Sequence, residues 1–341
     1  MYHLSNIASY HYKLSRGPWR YAHIAFHYLL LTFLVFSSSS TLAQNTPITN
    51  ENIPNNTTSE LNKKRLHWSL GIGAATYAGT SAILYNQWYQ KTPRSSFHTI
   101  DDFGAWRGMD KAGHIFSSYF QSRWAYDVWK WSGMKESTAV YSGLAVGFLA
   151  QTTIEVFDGF SADWGFSWTD MGANAIGLGL FAGQQFHWGE QRILVKSSFS
   201  PIDYRQRYGS YIAENRAAEL YGNGFSSRIL KDYNAQTTWL SFNIHSLFNV
   251  KGIPKWLNVG IGYGAENLFG AYSNNTFDGM DFSEFPRYSQ FFLSLDADLT
   301  RVKTNSPFLR TLLDVLNILK MPFSTIEFNT LGEVKFHLIR F

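Results

Sequence analysis

The sequence predicts an α+β protein, with a four-helix, membrane-like bundle followed by an antiparallel β-rich C-terminal region. Three observations carry this reading. Apolar segments close to 20 residues long with few or no charges recur between about residues 64 and 190. Beyond Gln191 the apolar residues switch to period two. Charged residues make up only 16% of the 341-residue chain, against roughly 25% in an ordinary globular domain, while Trp, Tyr and Phe together reach 17%. Aromatic rings at that density suit a membrane boundary, where an amphipathic ring sits at headgroup level.

The first 43 residues read as an export signal. Lys13, Arg16 and Arg20 precede the apolar run Ile24–Phe36, and Thr41-Leu42-Ala43 forms a small-residue cleavage site before Gln44. Residues 44–63 are rich in Asn, Thr and Pro with little to bury, so they read as a flexible linker. Four helical segments follow, at Trp68–Tyr85, Lys111–Trp131, Ser137–Phe157 and Thr169–His187. Each is near the length that spans roughly 30 Å of hydrocarbon. Small residues in the first, including Gly71 and Gly73, favour close helix contacts.

The second half, 191–341, alternates in WLSFNIHSLF, LNVGIGYGA, FFLSLDADL and VKFHLIRF, with Gly and Asn clusters as turns between them. About five such strands are legible, fewer than the eight of a small outer-membrane barrel. Leu309, Leu312, Leu313, Leu316 and Leu319 recur at helical spacing, so residues 307–321 read as an amphipathic helix lying on a membrane or on the sheet. The chain has no Cys, which excludes disulfides, thiolate metal sites and an N-terminal lipidated Cys. A net charge of +4 with scattered Lys and Arg indicates no nucleic-acid partner.

Polar residues interrupt the helical segments at fixed spacing. Asp110 and His114 are four apart, Glu155 and Asp158 three apart, and Asp170 and Asn174 four apart, so each pair shares a helical face. If the helices alternate in direction, the pairs and Lys111 fall in one layer. One imidazole with several carboxylates suits a divalent metal, with His114, Glu155 and Asp158 as candidate ligands, and Lys111 could hold a phosphate or balance the acids. His114 could instead act as a general base oriented by Asp110 or Asp170, which makes these three the candidate catalytic residues. Simpler explanations stand beside these. Ser167 to Asp170 matches a helix capping box, Asn174 could bond across the bundle, and Lys111 with Glu155 could form a buried ion pair.

The order Asp110-Lys111-x-x-His114, Glu155-x-x-Asp158, Ser167-Trp168-x-Asp170 and Asn174-x-x-Gly177 resembles the YfiM-like family of periplasmic lipoproteins over about residues 105–185, and more distantly VanZ-like membrane proteins. The resemblance marks Asp110, Lys111, His114, Glu155, Asp158, Ser167, Asp170, Asn174 and Gly177 as a shared polar site, and it implies no reaction. This chain departs from it in lacking a lipoprotein Cys and in adding the β-rich half. The expectation is an exported cell-envelope protein of Gram-negative type, in the outer membrane or facing the periplasm from a membrane. It would be a membrane-associated binding or structural factor whose partners are membrane lipid or envelope glycan. The alternatives are a metal- or His-dependent hydrolase or transferase acting on envelope lipid or glycan, and a small outer-membrane β-barrel.

Overall fold

The computed structural model describes residues 61–90 and 92–340. The expected signal peptide and nearly all of the linker lie outside the described residues. Helix α1 spans Lys63–Leu84, α2 Met109–Trp131, α3 Glu136–Gly159 and α4 Trp168–Trp188. Instead of a symmetric four-helix bundle, α2, α3 and α4 form a close trio. The remaining helix, α1, leans on it: Asn62 N–H donates to Ser132 O (2.9 Å) and Arg65 donates to Trp131 O (3.1 Å). Beyond its basic first turn, α1 carries Gly and Ala where an interlocking helix would carry bulk, so it buries little beyond Ser69. Among the described residues one helix, α3, is long and apolar enough to cross a membrane.

The C-terminal half is a mixed layer built on one antiparallel sheet. Strands β3 (Ile193–Phe199), β4 (Gln236–Asn243), β5 (Leu257–Glu266), β8 (Tyr288–Ala297), β9 (Phe323–Asn329) and β10 (Val334–Arg340) lie in the order β10-β9-β8-β5-β4-β3. The order is open, with β10 and β3 as its edges. Short pairs β1 (Thr99–Ile100) with β2 (Phe166–Ser167), and β6 (Thr276–Phe277) with β7 (Met280–Asp281), complete the strands. The expected strand Trp239–Phe248 is half strand: Asn243 caps Ser246 N–H (2.9 Å) and turns Ile244–Phe248 into a helical turn. The amphipathic helix, α5, runs over Pro307–Leu316 and stops before Asn317, whose side chain accepts from Leu299 N–H (2.8 Å).

The sheet is strongly curled. On a flat sheet β3 and β8 are three spacings, about 14 Å, apart. Yet Lys196 Nζ on β3 lies 2.9 Å from Asp296 Oδ2 on β8, with both side chains fully buried. Curling makes the concave face the interior. That face is polar and satisfied: Ser241 donates to Asp296 (2.6 Å), Lys320 to Ser294 (2.7 Å) and Gln290 to Glu327 (2.8 Å). The alternating glycines of β5 belong to the same face. A Cβ on Gly262 would sit 2.7 Å from the ring of the buried Trp239, so only glycine leaves room for that ring. Side chains thus fill the concavity.

The convex face is apolar. At its β3–β4 end Val195 and Leu240 pack on the helical trio through Tyr119, Val140 and Phe181. Farther along, Ile261, Phe291, Leu293, Ile326, Phe336 and Leu338 are exposed.

Candidate functional site

Two local devices bring the polar residues together. The parallel pair β1–β2, Ile100 opposite Ser167, sets Asp102 beside the start of α4. Ser167 caps that helix, its Oγ accepting from Asp170 N–H (3.1 Å), and also donates to Asp102 Oδ1 (2.5 Å), which Thr169 joins (2.7 Å). Ahead of α2 the chain makes a left-handed turn through Trp106, Arg107 and Gly108 (φ 50°, 52° and 77°). For the two non-glycine residues that conformation costs about 1–3 kcal/mol each. The β half holds the turn in place: Trp106 N–H donates to Ala271 O (2.6 Å), Arg107 Nε to Ser289 Oγ (2.9 Å), and the Tyr263 hydroxyl to Arg107 O. The sheet therefore sets the direction in which α2 delivers Asp110, Lys111 and His114.

At the centre Lys111 Nζ lies 2.6 Å from Asp102 Oδ2, 2.9 Å from Asp170 Oδ1 and 3.4 Å from Asp110 Oδ2. His114 Nε2 faces Glu155 Oε1 (3.5 Å), Asp110 Oδ1 (3.9 Å) and Asp170 Oδ1 (3.9 Å), while Nδ1 bonds Asn174 Oδ1 (3.1 Å). With Asn174 presenting its oxygen, Nδ1 carries a proton, and Nε2 is the ring nitrogen turned to the three carboxylates. Glu155 Oε2 accepts from Ser167 N–H (3.0 Å), whereas its buried Oε1 has no hydrogen-bond partner. Asp158 stands apart, accepting from the Tyr89 hydroxyl (2.6 Å), and is not within ion-pair distance of His114. Lys111 pairs with Asp102 and Asp170 and not with Glu155.

Asp102, Tyr89, Thr169 and Tyr233, whose hydroxyl donates to Asp110 Oδ1 (2.9 Å), complete the site. None of these four is marked by helical spacing with the others. Asp102 carried a signal in its acidic pair with Asp101 just ahead of the Asp110 motif. Tyr233 had none, since it arrives from 123 positions away.

The five carboxylates of this region, three of them within 3.4 Å of the Lys111 ammonium, perturb one another. Burial pushes the Glu155 carboxyl up to about 8, with Asp170 adding to the shift. Burial likewise lifts Asp158 to about 7 and Asp170 to about 6, the charge of Asp110 contributing to both. For His114 desolvation pulls down, but Asp110, Asp170 and Glu155 outweigh it and raise the imidazole above its ordinary range. Burial would raise Asp102 as well; hydrogen bonds from Lys111, Ser167 and Thr169 prevail and hold it at about 2.

The raised groups bind protons more tightly folded than unfolded, so their contribution to stability is full at low pH and is lost as pH rises towards about 8. Asp102 acts oppositely, its contribution disappearing as pH falls through about 2. In chelator-containing buffer the centre's contribution to the melting temperature is therefore expected to peak between pH values of about 3 and 4, where the unfolded carboxyls titrate, and to fall from there towards pH 8. Glu155→Gln should flatten that fall. A profile that rises over the interval contradicts the assignment.

Chemically, the centre offers an imidazole whose Nε2 faces three acids, a cluster of acids able to hold a cation or relay a proton, and an ammonium already committed to Asp102. Two open surface depressions, one near Arg192 and His245 and one near Lys303 and Asp314, lie on the β half and include none of these residues.

Fold and site together define an α+β protein with a buried, acid-rich histidine centre at the ends of three helices. Residues 101–182, under a third of the chain, match the family model described as "Predicted periplasmic lipoprotein (DUF2279)", a family of unknown function. The matched span contains every residue of the centre except Tyr89 and Tyr233. Its description names neither the YfiM-like nor the VanZ-like group. The match supports an exported protein of the Gram-negative envelope, although this chain has no Cys to carry a lipid. No curated protein and no solved structure matches the chain.

Proposed function

We propose that the protein is a membrane-associated envelope factor that rests against lipid with the convex face of its sheet and holds a ligand in its polar centre. The observation that carries the lipid contact is the inverted polarity of the sheet. In a water-soluble sheet of this kind the apolar face is buried and the polar face wet. Here Lys196, Ser241, Asp296 and Glu327 are buried, while Phe291, Leu293, Phe336 and Leu338 stand in the open. Outward apolar and inward polar alternation is the pattern of strands whose surroundings are hydrocarbon. An exposed apolar patch of this extent marks a contact surface in any case. Helix α5 repeats the inversion, with Phe308, Leu309 and Leu316 exposed and Thr311 buried beside Val315.

The test is flotation of the purified full chain with vesicles of phosphatidylethanolamine and phosphatidylglycerol. The wild type should float. A Leu293→Glu/Phe336→Glu variant, altered only where side chains face outward, should stay at the bottom with an unchanged circular dichroism spectrum. Equal flotation of both proteins, or a wild type that remains at the bottom as a stable dimer, would remove the lipid reading.

A further inference from the structure

We propose that the polar centre is a divalent-cation site of tetrahedral type, taking Zn2+ through His114 Nε2 and the carboxylates of Asp110, Asp170 and Glu155. One ligand atom each from Asp110, His114 and Asp170 lies within 4.8 Å of the others. The distances fit a tetrahedral ion. Zinc bonds of about 2.1 Å to nitrogen and oxygen place neighbouring donors roughly 3.4 Å apart, and the three carboxylate oxygens stand 3.5, 3.9 and 3.9 Å from Nε2. Closing on a metal asks for shifts of a few tenths of an ångström along these edges. An octahedral ion of the Mg2+ class needs adjacent donors at roughly 3.0 Å, a larger contraction.

A second and independent observation points the same way. Glu155 is 1% exposed, and its Oε1 stands 3.5 Å from His114 Nε2 with no hydrogen-bond partner. A buried carboxylate oxygen left without a hydrogen bond is unfavourable unless a cation comes between it and the ring nitrogen it faces. Asp170, 4% exposed, also has an oxygen without a well-formed hydrogen bond, although Lys111 Nζ is 2.9 Å away. Lys111 does not remove the need for a cation. Its shortest contact is with Asp102, outside the proposed ligand set, and one ammonium cannot balance the acids gathered here. Asn174 holds the imidazole in the tautomer that a metal requires, the usual role of a hydrogen-bond partner behind a ligating histidine. The cation site rests on the ligand half of the proposed function and not on the lipid half, since Zn2+ binding is read on the detergent-solubilised or soluble chain without vesicles.

The experiment is to strip the full-length protein with chelator, dialyse, and titrate Zn2+ by calorimetry with elemental analysis of the product. One Zn2+ per chain is expected. Glu155→Gln, close in shape to the wild type, should lose at least tenfold in affinity. Asn174→Ala should lose about 10–100-fold while keeping the one-to-one stoichiometry. Asp163→Asn, outside the centre, should bind as the wild type does. Cobalt loading of the wild type gives a readout that needs no variant: a tetrahedral N/O site shows intense visible absorption, an octahedral one only weak bands. Absence of Zn2+ binding, affinity unchanged in Glu155→Gln, or weak octahedral cobalt bands would each overturn the proposal.

Discussion

Asp296→Ala should be the most damaging single change in the β half, with an expected loss of about 3–5 kcal/mol, the usual cost of leaving a buried charge unpaired. Asp296 is fully buried and ion-paired to Lys196 at 2.9 Å, while its other contacts are the Ser241 hydroxyl (2.6 Å) and Met321 N–H (2.8 Å). Removing it strands Lys196 and leaves the nearby Lys320, 2% exposed, facing another ammonium inside the curl. Urea unfolding followed by Trp fluorescence reports this directly, since Trp239 lies under the Lys320 ammonium (4.9 Å). The pair also determines how the loss is repaired. Lys196→Met/Asp296→Leu removes both charges, so it should recover much of the stability that the single change costs. A single variant within about 1 kcal/mol of wild type would show that the buried pair does not hold the curl.

Gly177→Ala should be the most damaging change near the centre. In an exposed helix, replacing glycine with alanine gains up to about 1 kcal/mol. At Gly177 the added Cβ would lie 2.4 Å from Ile115 O and 2.1 Å from Ser118 Oγ, where α4 crosses the backbone of α2. A backbone oxygen cannot swing aside, so the helices must separate, at a cost of about 1–3 kcal/mol for overpacking. The separation falls one residue from His114 and three from Asn174, lengthening their 3.1 Å hydrogen bond. Gly172→Ala and Gly179→Ala, on the same helix with open space around the new carbon, should instead be neutral or stabilising. The comparison is made by thermal melting of the three variants. If Gly177→Ala melts with the other two, the close crossing is not what sets the spacing of the centre.

Much of the centre is legible in the chain because helical spacing is local. The i, i+4 separation puts Asp110 and His114 on one face whatever the rest of the protein does, and Ser167 with Asp170 announces a helix start that the structure contains. Of the sheet, the alternating segments are legible but two strands are not. Ile193–Phe199 carries a continuous apolar run and Lys196, and Phe323–Asn329 is interrupted by Ser, Thr and Glu; both obscure a period-two reading. The glycines of β5 look like a loss of side chains until Trp239 from the neighbouring strand is seen to occupy their space.

Local pattern is enough for the long helices, the helix ends on which the acids sit, and the alternation in the strands that begin at Gln236, Leu257, Tyr288 and Val334. Which face of that alternation is buried is settled by the curl of the sheet, because a period of two reads the same inside out. Only the tertiary structure decided which partners complete the centre. Asp102 and Tyr233 reach it through a short parallel pairing and a chain return of 123 residues, and no periodicity encodes such a meeting. The left-handed turn at Trp106–Gly108, anchored on Ala271 and Ser289, joins the two halves so that the sheet orients the helix carrying His114. Local spacing specifies faces, whereas long-range closure specifies what those faces meet.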